Sequence, residues 1–302
     1  MKMKDKTRRF IVADIALLVL TLLPLVAGMV IKILFNPATE GISISGAVVY
    51  FTIPMPIQDL PISEAQVNSA LVVISLFWLC LYMTHGIRAR VKTRRQLLIE
   101  WAIEKLESMV MDSMGPFFSG YAPFICAILI LSGFSSLLAL LGLFSPTSDV
   151  NIVVGWAILV FILITYYKLK GGIVNYAKGF LEPIPVMLPL NILGEVATPI
   201  SMAFRHYGNV LSGSVIAVLI AAALQGVSSL LLGWLPGVLG EIPLFRIGIP
   251  AVLSVYFDLF SSCMQAYIFA MLTMLNISGG FPQEEYEKRQ LKKLAKKESL
   301  KI

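Results

Sequence analysis

The chain has 302 residues, of which 57% are hydrophobic and 14% are charged, and its mean hydropathy is +0.83. This composition excludes a soluble globular domain, since several apolar runs reach the roughly 20 residues that a helix needs to cross a bilayer. The net charge of +6 comes from short basic clusters at the ends of these runs, which is typical of cytoplasmic loops and does not indicate nucleic-acid binding. We predict an all-α, polytopic membrane protein with about six membrane segments embedded in a lipid bilayer.

The residue pattern indicates neither metal nor nucleotide chemistry. Cys80, Cys126 and Cys263 lie in apolar segments without metal-ligand spacing, so we expect them to be buried thiols. His85 and His206 are too few for a metal site on their own. No Walker A pattern occurs in the chain. The expectation is therefore a protein without nucleotide, metal or other cofactor.

The chain begins with a basic stretch over residues 1–9, followed by an apolar run over residues 10–35. A cleaved signal peptide is the alternative, but the run is longer than the roughly 7–15 residues of a signal-peptide core, and no clear cleavage site follows. We predict an uncleaved first helix with its N-terminus in the cytoplasm. Asp14 and Lys32 lie near its two ends, where they can reach the membrane interface.

Residues 36–66 are rich in Pro, Gly, Ser and Thr, and are predicted to form an external loop with a short strand around residues 47–53. A second span over residues 67–83 leads into a strongly basic stretch, which favours a cytoplasmic location for that end. Residues 94–114 are amphipathic, with large apolar side chains on one side and acidic side chains towards the other. We predict a helix lying on the cytoplasmic surface of the membrane, with a packed soluble helix as the alternative.

The third and fourth spans are predicted over residues 121–143 and 152–167. In the turn between them, Asp149 and Asn151 are candidates to cap the following helix. Lysines that follow the fourth span mark the cytoplasmic side again.

The last two segments are longer than an upright crossing requires. The fifth runs to about residue 225, and Pro199 is a candidate bend because proline lacks a backbone donor. We predict a loop over residues 226–248, a sixth segment over residues 249–277, and a charged cytoplasmic tail from residue 283. The two overlong segments are expected to form a long, tilted helical hairpin, with both chain termini in the cytoplasm.

The fifth segment carries a charged residue within an apolar setting. An arginine at membrane depth costs roughly 3 kcal/mol or more, so it persists where it faces protein or water. Because small residues let another helix approach closely, a stripe of small and polar residues that presents this arginine is predicted to be a docking or sliding face. Plotted at about 100° per residue, the stripe comprises Gly194, Thr198, Ser201, Arg205, Asn209 and Ser212.

The sixth segment contributes a polar line. Asp258 and Gln265 are seven residues apart, which is two turns of an α-helix, so they are expected on one face together with nearby serines. In a hairpin, Asp258 lies to the outer side of Arg205, and Glu195 lies to the cytoplasmic side. One acidic group on each side of a central arginine indicates two offset aqueous pathways separated by a fixed positive charge.

Each of these residues also has a purely structural role as an alternative. Arg205 pairs with Glu195 in one alternative, although a separation of ten residues on one helix is poor for an ion pair. Asp258 is a helix-end residue at the outer interface in another, and Gln265 bridges helices by hydrogen bonds in a third. His206 adjoins Arg205 but points about 100° away, and is not predicted to carry protons.

Three stretches resemble the signature helices of subunit a, the stator ion channel of rotary F-type ATP synthases: PLNILGE (189–195), PIS-x-x-FR-x-x-GN (199–209) and MQAYIFAMLTMLNI (264–277). Residues 145–161 and 180–191 are similar to that family's third and fourth helices and to the link into its fifth. The resemblance extends from about residue 67 to residue 277, with the segments in the family's order.

This resemblance implies a mechanism. A ring of c subunits, each with an ion-carrying carboxylate, would slide past Arg205, which would attract each ionised carboxylate and stop ions from passing straight between two half-channels. Gln265 would lie beside Arg205 and help to position it, and Asp258 would line the outer half-channel. Glu195 and Asn209 match positions that the family uses along the ion pathway.

Two features depart from the family pattern. Ser214 stands where many members carry an acidic residue or histidine, and it lies about 180° round the helix from the stripe, so the outer pathway would rely on Asp258 and water. The first helix is additional to the family's five-helix plan. We therefore expect residues 1–66 to form an extra helix and an external loop, and residues 67–302 to form the ion-channel domain.

The resemblance implies a non-catalytic subunit that moves H⁺ or Na⁺ in a bacterial inner (plasma) membrane. Its implied partners are the c-subunit ring, the peripheral-stalk b subunits and the rest of the F-type ATP synthase. A free-standing secondary transporter is the competing class, but we find no internal repeat that relates two halves of the chain. A membrane-assembly factor, the third class, would not need a central arginine flanked by acids.

Overall fold

The computed structural model describes residues 2–35, 46–56, 58–87, 93–181, 184–232, 252–253, 255–284, 286–287 and 291. Within this part of the chain, six helical segments are long and apolar enough to cross a membrane, which confirms the predicted all-α, six-segment class. These segments are Ile11–Phe35, Glu64–Thr84, Pro116–Leu141, Val150–Lys170, Pro185–Leu231 and Val255–Gly279.

The α-helices of the described residues, in chain order, are α1 (Lys2–Phe35), α2 (Glu64–Thr84), α3 (Arg94–Met114), α4 (Ala122–Leu137), α5 (Val150–Lys170), α6 (Ile173–Gly179), α7 (Leu188–Leu232) and α8 (Ser261–Gly279). Short 3₁₀ turns occur at Pro116–Tyr121, Leu138–Leu141, Pro146–Ser148 and Pro185–Met187, and a π-helical turn at Val255–Phe260 precedes α8. The amphipathic helix predicted over residues 94–114 is present as α3.

The chain divides into two compact units, which are described separately. The first unit comprises Met1–Lys105, Ala127–Asp149 and Tyr207–Tyr267. The second unit comprises Leu106–Cys126, Val150–His206 and Ile268–Ile302.

In the first unit, α1 packs antiparallel to α2 along a seam of small and polar residues, which we call the α1–α2 seam. Ser75 on α2 donates a hydrogen bond to the backbone oxygen of Thr21 on α1, with Oγ and O 2.6 Å apart. Gly28 lies directly against Leu71, because a Cβ atom at position 28 would be only 3.1 Å from Leu71 Cδ1. Small residues at this interface let the two helices approach closely in lipid. Charged pairs lie at its two ends: Asp14 with His85 and Arg95, and Lys32 with Glu64.

A two-stranded antiparallel sheet precedes α2 in the same unit. Strand β1 (Val49–Ile53) pairs with β2 (Leu60–Ser63), with Val49 opposite Ser63 and Ile53 opposite Leu60. The short strand predicted around residues 47–53 is therefore present. Strand β2 runs directly into α2, and the Ser63 backbone N–H donates to the side-chain oxygen of Gln66, which satisfies one donor at the helix start.

The second unit has an aromatic cluster at the end of α5. Phe281, which follows α8, stacks on Phe117 with the ring centroids 4.5 Å apart. It also lies edge-on to Phe118 and Tyr167, at 5.5 and 5.7 Å. Such ring pairs add about 0.5–1.5 kcal/mol each beyond the area that they bury. We call these rings, with Tyr286, the aromatic cluster.

Helix α7 extends further than the sequence indicated. A loop was expected from residue 226, but α7 continues to Leu232, so that boundary is wrong. A single glycine costs a helix only about 1 kcal/mol, which does not end it among apolar neighbours. The 45 residues of α7 span about 68 Å at 1.5 Å per residue, so the helix is overlong for an upright crossing, as predicted. The rest of the expected loop, from residue 233, lies outside the described residues.

Helices α7 and α8 run antiparallel where both lie in the first unit. Asn209 on α7 meets Ser261 on α8, and four residues further along α7, Gly213 meets Phe257, four residues earlier in the chain than Ser261. Residue numbers therefore increase along α7 in the direction in which they decrease along the partner segment. This packing confirms the predicted helical hairpin for the last two segments.

Candidate functional site

Arg205 lies on an outward face of α7. In the second unit, Gly194, Ser201 and Arg205 are all exposed, whereas Met202 and Ala203 are buried. Arg205 makes no hydrogen bond or ion pair with the described residues of its own unit. The predicted stripe is therefore accessible here, and the described residues of this unit provide no compensating charge for the Arg205 guanidinium.

His206 is oriented away from this face, as expected from its angular position. It is fully buried, and its ring packs edge-on against Phe269 at 5.4 Å and against Trp156 at 6.1 Å. These contacts make His206 part of the packing behind the outward face.

Glu195 is held by a lysine from another helix. Lys168 Nζ, near the end of α5, lies 2.6 Å from Glu195 Oε2, and only 14% of the glutamate side chain is exposed. The hydroxyl of Tyr176 on α6 lies 3.5 Å from the other carboxylate oxygen. The ion-pair partner of Glu195 is thus Lys168, and the alternative pairing of Glu195 with Arg205 is not observed among the described residues.

Glu195 and Lys168 open onto a cavity of about 680 Å³ in the second unit. Helices α5, α6, α7 and α8 all contribute to its wall, together with the residues that follow α8. A cavity of this size that is lined by charged and amide groups can hold ordered water. The polar residues that line it are Lys168, Asn175, Tyr176, Asn191, Glu195, Thr198 and Asn276.

Asn209 connects the two hairpin helices in the first unit. Its Oδ1 accepts a hydrogen bond from Ser261 Oγ at 3.0 Å, and its Nδ2 donates to the backbone oxygen of Ser261 at 3.4 Å. Both polar groups of the Asn209 amide therefore contact one residue of α8. These two hydrogen bonds hold α7 and α8 together at Asn209, independently of any part that this residue has in an ion pathway.

Asp258 lies in the π-helical turn that precedes α8, and its side chain is half-buried. The spacing of seven residues predicts two α-helical turns between Asp258 and Gln265. This prediction is wrong, because Asp258 lies in a π turn, which takes more residues than an α turn. Gln265 itself is 4% exposed and lies on the packed side of α8.

Ser214 is exposed on α7, and its hydroxyl donates to the backbone oxygen of Leu211 at 2.8 Å. Ser212, in the stripe, also bonds to its own helix, at the backbone oxygen of Gly208. Serines in apolar helices satisfy their hydroxyls in this way. Both serines thus present small polar groups at the surface of the first unit.

The expectation of buried thiols is wrong for Cys80 and Cys263, which are exposed, and Cys126 is half-buried. In a membrane protein, apolar residues face lipid as well as the protein core, so an apolar setting does not require burial. Among the described residues, no group of three or more His, Cys, Asp or Glu side chains is arranged to hold a metal ion.

Sequence reasoning missed Lys168 and Tyr176. Lys168 was interpreted only as one of the lysines that mark a cytoplasmic helix end, and its pairing with Glu195, 27 residues later, has no sequence signal. Burial, and then the negative charge of Glu195, raise the pKa of Tyr176 above its usual value. Tyr176 therefore stays protonated and can donate to the carboxylate.

The sequence comparisons are consistent with this arrangement of helices. The family profile described as "ATP synthase A chain" matches residues 67–278, which is well over half of the chain. The chain belongs to the ATP synthase subunit a family. It is 27% identical over 274 residues to "ATP synthase subunit a, sodium ion specific" of Propionigenium modestum, which covers 80% of this chain and 88% of that protein. It is 31% identical over 201 residues to "ATP synthase subunit a" of Bacillus pumilus, covering 62% and 79% of the two chains.

Membership of this family defines the broad role of the protein. Subunit a is an ion-translocating, non-catalytic Fo subunit of the F-type ATP synthase complex, and the six apolar helices make this chain a multi-pass membrane protein. A free-standing secondary transporter or an assembly factor is thereby set aside. The profile begins at residue 67, so helix α1 lies outside the region that defines the family.

Proposed function

We propose that this chain is the stator ion channel of Fo, and that Arg205 faces the ion-carrying carboxylates of a rotating c ring. The observation that carries the proposal is an arginine at membrane depth that is exposed on a face of small residues and has no partner among the described residues of its unit. At 4 Å, opposite charges attract by about 4 kcal/mol at an effective dielectric constant of roughly 20. A passing carboxylate would therefore be held, and released only when it takes up an ion.

The inner half-channel is proposed to run through the cavity lined by Glu195. A carboxylate on a wall of amides and hydroxyls can pass a cation between bulk water and the rotor without crossing hydrocarbon. The outer half-channel is proposed to use Asp258, with Asn209 and Ser214 as further polar positions on that side.

Gln265 is proposed to lie beside Arg205 and to hold its guanidinium in place. The support for this assignment is the resemblance of residues 264–277 to the family's signature helix.

The remaining assignments follow from the family. The proposed partners are the c ring and the peripheral-stalk b subunits, and the proposed location is the bacterial plasma membrane with both termini in the cytoplasm. Residues 1–66 are proposed to be an additional, uncleaved helix with an external loop, attached to an ion-channel domain over residues 67–302. The translocated ion is H⁺ or Na⁺.

The test is ATP-driven ion uptake into inverted membrane vesicles that contain the whole complex. Arg205→Ala is expected to lose uptake while the c ring still co-purifies, and a passive leak after removal of the catalytic sector would show that the arginine is also a barrier. Val196→Ala, an exposed apolar position on the opposite side of α7, is the matched control and should pump normally. Normal pumping by Arg205→Ala would overturn the proposal.

A further inference from the structure

The Lys168–Glu195 ion pair lies where a translocated cation would have to bind, and this inference rests on the proposed role of Glu195 in the inner half-channel. The ammonium nitrogen is 2.6 Å from one carboxylate oxygen, and both side chains are mostly shielded from solvent, with 29% and 14% of their surfaces exposed. A carboxylate in contact with an ammonium group cannot take up a proton or a sodium ion without competing with it. Lys168 is therefore in position to compete with the transported ion.

We propose that Lys168 is a positioning residue that sets the affinity of the inner cavity for the translocated cation by acting as a tethered competitor for Glu195. Three described groups on the cavity wall are charged or titratable: Lys168 from α5, Tyr176 from α6 and Glu195 from α7. Helix α8 contributes the uncharged Asn276. Lys168 is thus the single positively charged group among the described lining residues. If its ammonium group moved away, the Glu195 carboxylate would be available to bind a cation.

The lysine is held by the chain that follows α8, residues 280–282, which we call the strap. A Cβ atom at Gly280 would lie 3.1 Å from Lys168 Cε and 3.2 Å from Cγ, so the aliphatic part of the lysine runs against the Gly280 backbone. Pro282 lies so close to Gly171 that a Cβ atom there would be 2.2 Å from its ring. Glycine at both positions therefore allows the strap to press on the end of α5.

The aromatic cluster anchors the strap. Phe281 stacks on Phe117 at 4.5 Å, and Lys170 lies 4.4 Å from the ring centroid of Tyr167 in the same cluster. Two lysines near the end of α5 thus have different surroundings: Lys170 packs on aromatic rings, and Lys168 reaches into the cavity. Of these two lysines, it is Lys168 that contacts the Glu195 carboxylate, and the strap restricts the alternative rotamers of Lys168.

The experiment measures how ATP-driven uptake into inverted vesicles depends on the concentration of the transported cation on the cytoplasmic side. Lys168→Gln is expected to lower the half-saturating concentration by roughly three- to tenfold, since a partly buried ion pair no longer competes. The maximal rate should change less than the half-saturating concentration. Lys178→Gln removes the same charge from an exposed position on α6 and should match the wild type. Lys168→Arg should retain most of the competition.

A half-saturating concentration in Lys168→Gln that equals that of Lys178→Gln, with or without a lower maximal rate, would overturn the proposal and leave Lys168 a structural residue. That outcome differs from failure of the proposed function, which would appear as normal pumping by Arg205→Ala. If Lys168→Gln does not accumulate in membranes, Gly280→Ala takes its place. The added methyl group would lie 3.1 Å from both Lys168 Cε and the backbone oxygen of Asn276, so it would shift the strap against the lysine without removing the lysine's charge. A half-saturating concentration that stays at the wild-type value would equally overturn the proposal.

Discussion

The α1–α2 seam and the outward face of α7 both carry charged side chains, and they differ in how these charges are compensated. In the seam, Asp14 lies 2.9 Å from His85 and 3.3 Å from Arg95, and Lys32 lies 4.0 Å from Glu64. On α7, Arg205 has no such partner among the described residues of its unit. Removing one partner of a charge pair within the chain destabilises the fold, whereas an uncompensated charge is expected to find its partner in the complex. Substitutions in the α1–α2 seam should therefore lower stability, whereas substitution of Arg205 should lower transport.

The largest expected effect on stability is at Gly28, in the middle of the seam. Gly28→Leu forces the helices apart, because a Cβ atom there already lies 3.1 Å from Leu71 Cδ1 and 3.5 Å from Leu143 Cδ1. Overpacking of this kind costs about 1–3 kcal/mol. The midpoint of thermal unfolding of the full-length chain in lipid nanodiscs should fall clearly. The control is Gly155→Leu, where no atom lies within 4 Å of the added Cβ; equal losses in the two variants would refute close packing of α1 on α2.

Lys32→Met is expected to have the next largest effect. It leaves the Glu64 carboxylate, whose side chain is only 3% exposed, without its cation. The Glu64 carboxylate keeps a hydrogen bond from the backbone N–H of Phe144 at 3.4 Å. An uncompensated buried acceptor costs about 1–3 kcal/mol. In the same unfolding assay, Lys32→Met combined with Glu64→Gln should recover part of the loss, since the second change removes the stranded charge. No recovery would show that the ion pair does not account for the loss.

Asp14→Asn is expected to cost less, about 0.5–1 kcal/mol, because the groups at this end of the seam are partly exposed. Arg95 also keeps two other contacts, with the backbone oxygen of His85 and with the ring of Tyr82 at 4.7 Å. The unfolding midpoint should move slightly, and raising the salt concentration should reduce the difference from the wild type. Glu107→Gln, on the exposed face of α3, serves as the control. A difference that does not respond to salt would argue against an electrostatic contact.

Arg205→Ala should not lower stability, because the arginine has no partner among the described residues of its unit and its charge is costly at membrane depth. The same variant is expected to abolish transport, so the two readouts should diverge. A drop in the unfolding midpoint as large as that of Lys32→Met would place Arg205 among the structural charges, and the contrast between the two regions would disappear.

Local properties of the sequence were enough to predict the class of the protein and most of its segments. Hydropathy over about 20 residues is a local property, so the six spans and helix α3 could be identified without knowledge of their neighbours. The exposed stripe around Arg205 followed from helical periodicity, which is also local. The family motifs then linked these elements to ion translocation, which the comparisons bear out at the level of the subunit.

The pairing of charges could be identified from the tertiary contacts but not from the sequence. Lys168 and Glu195 are 27 residues apart, and Asp14 and His85 are 71 residues apart, so no spacing rule connects them. Their contacts depend on which helices pack together and how far each rotates about its axis, and both are set by side-chain fit along the whole interface. The π turn at Val255–Phe260 and the continuation of α7 past residue 226 to Leu232 also escaped sequence reasoning. A single glycine weakens a helix by only about 1 kcal/mol, so it does not by itself mark where a helix ends.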